Sequence, residues 1–239
     1  MPSDRNIVLF DLFGVIARHQ RPGALAKMAA RCHAPTEAFT QEYWACRPPY
    51  DAGQQSAREY WTAVLGRLHS EPDLDMIEEL RRADIDSWSR VDDRMVAYVQ
   101  SLRDVAEVAL LSNIPADHAD AFLTAQPWLH NLDHVAFSGK IKVAKPDRAA
   151  FQYCADAMRA APADFLFVDD REENVRAAQA TGMRGHVFTG QDELAAVIVR
   201  QLEEFAQCGS TSVRTWKASP GSSTPTTSSP AAGTTSADG

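Results

Sequence analysis

Asp11 follows the apolar run Ile7–Phe10 and stands three residues before Gly14. A carboxylate there marks the end of a strand buried on both faces, the end at which open parallel sheets place their ligands. Ordinary turn chemistry also uses such an Asp, whose side chain bonds its own backbone two residues on. Three further polar groups weigh toward catalysis. Ser112-Asn113 closes an apolar run from Val108, Lys145 stands just before Pro146-Asp147 where a helix would start, and Asp169-Asp170 closes a run from Phe165.

A carboxylate attacks phosphorus only once its repulsion with the phosphate is neutralised, so Asp11 as a nucleophile calls for a divalent cation. Asp169 and Asp170 are candidate ligands, although strand alternation sends only one of them to the face of Asp11. The same pair could instead cap the following helix. Lys145 could stabilise developing oxyanion charge, or be a solvated lysine like Lys140 and Lys142. Ser112 and the backbone amide of Asn113 suit a phosphate oxygen, or simply begin a turn.

The elements that would position these groups are legible. Residues 18–90 carry helical patterns at 23–32, 35–46, 56–68 and 73–88, with no strand pattern between them. Ser56 and Glu59 have capping-box spacing ahead of an apolar face formed by Trp61, Val64, Leu65 and Leu68. Strands are expected at 105–111, 134–137, 164–168 and 185–188, alternating with helices at 115–125, 147–160, 171–181 and 190–207. That alternation predicts an α/β fold with a parallel sheet covered on both faces. Arg47 and Tyr50, around Pro48-Pro49, are expected on a rigid loop that could face substrate. Trp44, Trp61 and Trp88 fall in helical patterns as core residues. The seven histidines lack ligand spacing and read as surface or core.

A formal net charge of -8 argues against nucleic acid and anionic membrane surfaces as partners, leaving a small phosphorylated molecule as the expected one. Four widely spaced cysteines and the lack of a signal-like or membrane-length apolar stretch lead to the expectation of a cytoplasmic protein. Residues 209–239 are rich in Ser, Thr, Pro and Gly and are expected to be a disordered tail. Oligomeric state is not legible.

From residue 6 to 188, the order Asp11, Ser112, Lys145-Pro146-Asp147, Asp169-Asp170 and Gly182-Met183 resembles the haloacid dehalogenase-like hydrolase superfamily. The resemblance implies a Rossmann-like parallel-sheet core, residues 1–17 and 91–208, with residues 18–90 inserted as an α-helical cap over the active site. It implies catalytic roles for Asp11, Ser112 and Lys145, with Asn113 binding substrate beside the cap's Arg47 and Tyr50. Mg2+ would be held by Asp11, the backbone carbonyl of Phe13 and Asp170, with Asp169 as an auxiliary or outer ligand and Asn174 orienting the acids.

One position departs from the pattern. Most phosphatases of the superfamily carry a second Asp two residues after the nucleophile, and here that residue is Phe13. Losing a positioned acid–base group costs roughly 10²–10⁴-fold. The favoured expectation is a Mg2+-dependent small-molecule phosphatase working through an aspartyl-phosphate, with good leaving groups such as sugar 1-phosphates or with a proton supplied from the cap. A 2-haloacid dehalogenase is the first alternative, since a halide needs no proton, but Asp170 without a metal would repel an anionic haloacid. A non-catalytic ligand-binding or regulatory descendant is the second.

Overall fold

The computed structural model describes residues 5–208. Its centre is a five-stranded parallel sheet in the order β3-β2-β1-β4-β5, formed by β1 (Ile7–Phe10), β2 (Glu107–Ser112), β3 (His134–Phe137), β4 (Phe165–Asp169) and β5 (Arg184–Val187). β1 is the middle strand, with Phe10 in register with Leu110 of β2 and Val168 of β4. Its continuous apolar run suits a strand with helices on both faces. Side-chain alternation sends Val8 and Phe10 into one hydrophobic cluster, and Ile7 and Leu9 into the other.

The helices are α1 (Ala24–Arg31), α2 (Thr36–Asp51), α3 (Ala57–Arg67), α4 (Leu74–Ser87), α5 (Asp93–Leu102), α6 (Ala116–Ala125), α7 (Ser138–Ile141), α8 (Arg148–Met158), α9 (Glu172–Ala180) and α10 (Gln191–Cys208). Side chains of α5, α6 and α10 cover one sheet face, and those of α8 and α9 the other. The α5 helix is absent from the expected elements, although Met95, Tyr98, Val99 and Leu102 make a helical stripe that packs on the sheet. The described elements form a Rossmann-like α/β fold.

Helices α1–α4 gather a hydrophobic cluster of their own around Phe39, Tyr43, Tyr60, Trp61, Val64 and Leu80. The capping box forms at α3: Ser56 Oγ accepts from Glu59 N at 3.2 Å, and Glu59 Oε2 accepts from Ser56 N at 2.7 Å. The expected loop around Arg47 and Tyr50 does not exist, because α2 runs through Pro48 and Pro49 to Asp51. An interior proline costs about 3 kcal/mol or more, and tertiary contacts on either side outweigh it here. Arg47 is bonded to Asp51 and Asp84, while Tyr50 stacks on Tyr60 at 4.5 Å between ring centroids. Residues 209–239, expected as a disordered tail, lie outside the described residues.

Candidate active site

The sheet brings the strand-end carboxylates together. Asp11 N donates to the Val168 carbonyl at 2.8 Å, extending the β1–β4 pairing by one residue. Asp11 Oδ1 accepts from Leu12 N at 2.7 Å and lies 2.7 Å from Lys145 Nζ. The same ammonium donates to Asp169 Oδ2 at 2.7 Å, so it bridges two acids from adjacent strands. Asp169 is otherwise satisfied: its Oδ1 accepts from Arg171 N at 2.8 Å, and Asn174 Nδ2 reaches its two oxygens at 3.1 and 2.9 Å.

Asp170 is the less satisfied acid. Its Oδ2 lies 3.1 Å from His19 Nε2, whereas its Oδ1 is buried without a partner. By register Asp169 shares the face of Asp11, and Asp170 reaches the same space only because the chain turns after β4. Oxygens of Asp11, Asp169 and Asp170 all lie within 4.8 Å of one another. Gly14 makes room for them. Its φ is +89°, and a Cβ there would collide with the Asp170 carboxylate.

Three carboxylates face one ammonium, and the electrostatics show the imbalance. Burial pushes Asp11 up to about 7; Lys145 opposes that shift and Asp169 adds to it. Burial likewise raises Asp170, with Asp169 contributing next. The oxygens that lie close enough together to meet a cation are those of the three carboxylates. This all-oxygen set fits a hard divalent cation such as magnesium.

Beside the acids, the buried Ser112 Oγ and Asn174 Oδ1 are also unpartnered. The Asn113 side chain exchanges hydrogen bonds with the Lys145 backbone, donating to its carbonyl at 2.7 Å and accepting from its N–H at 2.8 Å. It therefore positions the loop that carries the ammonium. Asp11, Phe13, Ser112, Asn113, Asp170 and Asn174 border a cleft of about 250 Å³. Trp44, Arg47 and Asp51 of α2 also line the cleft, together with His19 and Trp88.

Arg47 reaches the cleft as expected, but from a helix and with its donors engaged. Its Nε donates to Asp51 at 2.7 Å, and its Nη1 donates to Tyr43 Oη at 2.6 Å and to Asp84 at 2.8 Å. Tyr50 is not part of the cleft wall. It is buried, and its hydroxyl donates at 2.6 Å to Asp117 at the start of α6. The other tryptophans divide, since Trp61 is buried in the helical cluster while Trp44 is 45% exposed.

Two histidines gain partners that their sequence spacing did not show. His19 faces Asp170, and His118 is buried between Asp84 and Asp117, 3.1 and 3.4 Å from its ring nitrogens. The His19–Asp170 and His118–Asp84 contacts join residues far apart in the chain. No local signal marked either one.

A family model described as haloacid dehalogenase-like hydrolase matches residues 6–182, which contain every acid of the cleft together with Ser112 and Lys145. The chain belongs to the haloacid dehalogenase-like hydrolases. Among curated proteins, this hydrolase is 29% identical over 151 residues to a drimenol cyclase of Aspergillus calidoustus, and 32% identical over 115 residues to a sesquiterpene phosphatase of Aspergillus oryzae. The first alignment covers 61% of this chain and 28% of the cyclase, and the second 47% of this chain and 58% of the phosphatase. The chain thus spans only part of either relative's length. A solved haloacid-dehalogenase-family enzyme of Bacteroides thetaiotaomicron, in complex with magnesium and inorganic phosphate, shares the fold: TM-score 0.66 and 16% identity, covering 78% of this chain and 96% of that one.

Proposed function

We propose that this hydrolase is a magnesium-dependent phosphatase of small molecules, acting through an aspartyl-phosphate at Asp11. The observation that carries the reading is the packing of Asp11, Asp169 and Asp170 within 4.8 Å around one ammonium, next to buried Ser112 and Asp170 oxygens without partners. Such a site has excess negative charge and oxygen donors, the reverse of what an anionic haloacid would need. Asp11, Asp170 and the Phe13 carbonyl would hold the cation, with Asp169 behind them and Asn174 orienting it. When bound, magnesium supplies charge neutralisation between the phosphate and the carboxylates.

The roles of the side chains follow from their bonds. Asp11 Oδ1 is held by Leu12 N and Lys145 Nζ, which directs Oδ2 to phosphorus. A bond forms from Oδ2 to phosphorus as the ester P–O bond breaks, and its electron pair leaves with the departing oxygen. Water then attacks the phosphorus, releasing inorganic phosphate and restoring the carboxylate. Lys145, Ser112 Oγ and the Asn113 backbone amide stabilise the equatorial oxygens during both steps.

With Phe13 in place of a carboxyl group, the departing oxygen leaves with more negative charge, so rates depend on leaving-group acidity. Anomeric, phenyl and acyl phosphates are the favoured substrates, and similarity to a sesquiterpene phosphatase adds terpenyl phosphates. The test is a panel of these esters beside simple alkyl phosphates and 2-chloropropionate, run with magnesium and after exhaustive chelation. The expected result is magnesium-dependent phosphate release that falls as leaving-group pKa rises. Chloride release from 2-chloropropionate without phosphatase activity would replace this reading with a dehalogenase.

A further inference from the structure

Phe13 belongs to two cavities. Besides the acidic cleft it borders an apolar pocket of about 70 Å³, formed with Trp88, Ile85, Ile114, Ala121 and Phe122, and Trp88 also faces both. The ring of Phe13 meets Trp88 edge-on at 4.8 Å and Phe122 at 5.9 Å between centroids. The Phe13 and Trp88 rings therefore line the two spaces at once. His118 adds little polarity, since both its ring nitrogens face Asp84 and Asp117.

We propose that the pocket is a binding subsite for the apolar end of the substrate's leaving group, with Phe13 and Trp88 carrying the chain across from the phosphate cleft. The inference rests on the phosphatase reading and narrows it to monophosphates bearing a short, branched hydrocarbon. Apolar cavities of ~150 Å³ bind benzene, so this smaller one has room for a group of roughly three carbons. A linear sugar or polyol would place hydroxyls against walls whose polar groups, Ser89 and His118, already bond Asp86, Asp84 and Asp117, at a cost in binding. On this account Phe13 replaces an acid with a substrate contact.

The subsite separates from leaving-group chemistry by a matched pair. Acetyl phosphate and 3-methylbutanoyl phosphate release carboxylates of nearly equal basicity but differ by a branched hydrocarbon. A methylene in an apolar pocket changes kcat/KM by roughly 10-fold or more, so the branched substrate should exceed acetyl phosphate by about 100-fold. Ala121→Leu, and separately Ala125→Leu at the end of α6, where Ala125 also lines the pocket, should each cut that advantage by about tenfold while leaving acetyl phosphate within about threefold of wild type. Thermal melts show whether each variant is folded, and Ala125 is exposed, which favours a folded variant at that position.

Calorimetry gives a readout without turnover. In the Asp11→Asn background with magnesium, 3-methylbutyl phosphate should bind about 100-fold more tightly than methyl phosphate, and the added Ala125→Leu change should remove most of that difference. Equal affinity for the two esters, or equal loss of both acyl phosphates on filling the pocket, would overturn the subsite. Turnover of acetyl phosphate with no branched-chain preference would leave the phosphatase reading standing without it. Failure of all phosphate esters to react, with no binding difference, would remove both.

Discussion

Two clusters of buried charge contribute side chains to the same cleft and differ in how completely their charges are matched. At the strand ends, three carboxylates share one ammonium, and burial lifts Asp11 to about 7. Where α2 and α4 meet α6, Arg47 bonds Asp51 and Asp84, His118 lies between Asp84 and Asp117, and Tyr43 donates to Asp84 at 2.8 Å. Burial alone would raise Asp84, but Arg47 and His118 beside it hold its carboxyl down at about 2. The second cluster is closed and joins helices; the first is left open to chemistry. A buried charged network is thus a structural brace when saturated and a candidate reaction centre when it carries an excess of one sign.

The same chemical change should therefore have opposite consequences in the two places. The largest expected effect is on turnover. Asp11→Asn should lower phosphate release by about 10⁴-fold or more, because the attacking oxygen is gone. Urea unfolding in chelator should show it at least as stable as the parent, since the change removes a desolvated negative charge. A less stable Asp11→Asn protein would contradict the picture of a site under repulsion. Asp84→Asn should instead cost about 3–5 kcal/mol, because it leaves the Arg47 guanidinium and His118 short of a buried counter-charge. Equal, small losses from both changes would erase the contrast.

Magnesium sharpens it further. Bound to the folded state only, the ion should add about 2.7 kcal/mol at 100 times its dissociation constant. Asp170→Asn should abolish most of that gain, and Asp84→Asn should keep it, which differential scanning calorimetry can resolve.

The smallest effect is in the acid and neutral limbs of stability. Asp84, with its folded value depressed, contributes stability above its unfolded pKa of ~3.9 and loses it as pH falls toward about 2. Asp11 has the reverse sign: its contribution is present below ~3.9 and is lost as pH rises toward about 7. For His118, burial lowers the pKa, but Asp84 and Asp117 outweigh it, so the folded value is raised. Its contribution is full below ~6.5 and is lost as pH climbs through the folded value. Without metal, stability should rise from pH 2 to 4 and then decline toward 7. Urea midpoints across that range should show Asp84→Asn flattening the rise and Asp11→Asn flattening the decline.

Particular residues explain what could be read before folding. Ile7–Phe10 before Asp11 is legible because a central parallel strand needs apolar side chains on both faces, and Ser56 with Glu59 because a capping box is a contact between near neighbours. Arg47 and Tyr50 were misplaced onto a loop because Pro48-Pro49 is a strong local signal. It yields here to a buried Arg47–Asp84 ion pair and a Tyr50–Tyr60 stack, whose partners lie 37 and 10 residues apart. His118 and Asp84 carried no signal at all, being 34 residues apart.

The sequence by itself determined the parallel sheet, the helical segment inserted after its first strand, the order of the polar strand ends and the loss of a carboxyl at Phe13. All of these are encoded in periodicity or in short-range spacing. Only the tertiary structure decided that Asp169 is satisfied by Lys145, Arg171 and Asn174 while Asp170 keeps an unpartnered oxygen, that Arg47 enters the cleft already paired, and that Phe13 borders both the acids and an apolar pocket. Those outcomes depend on which distant groups share a low-dielectric space. Burial sets the strength of each charge there, and the chain order alone does not record burial.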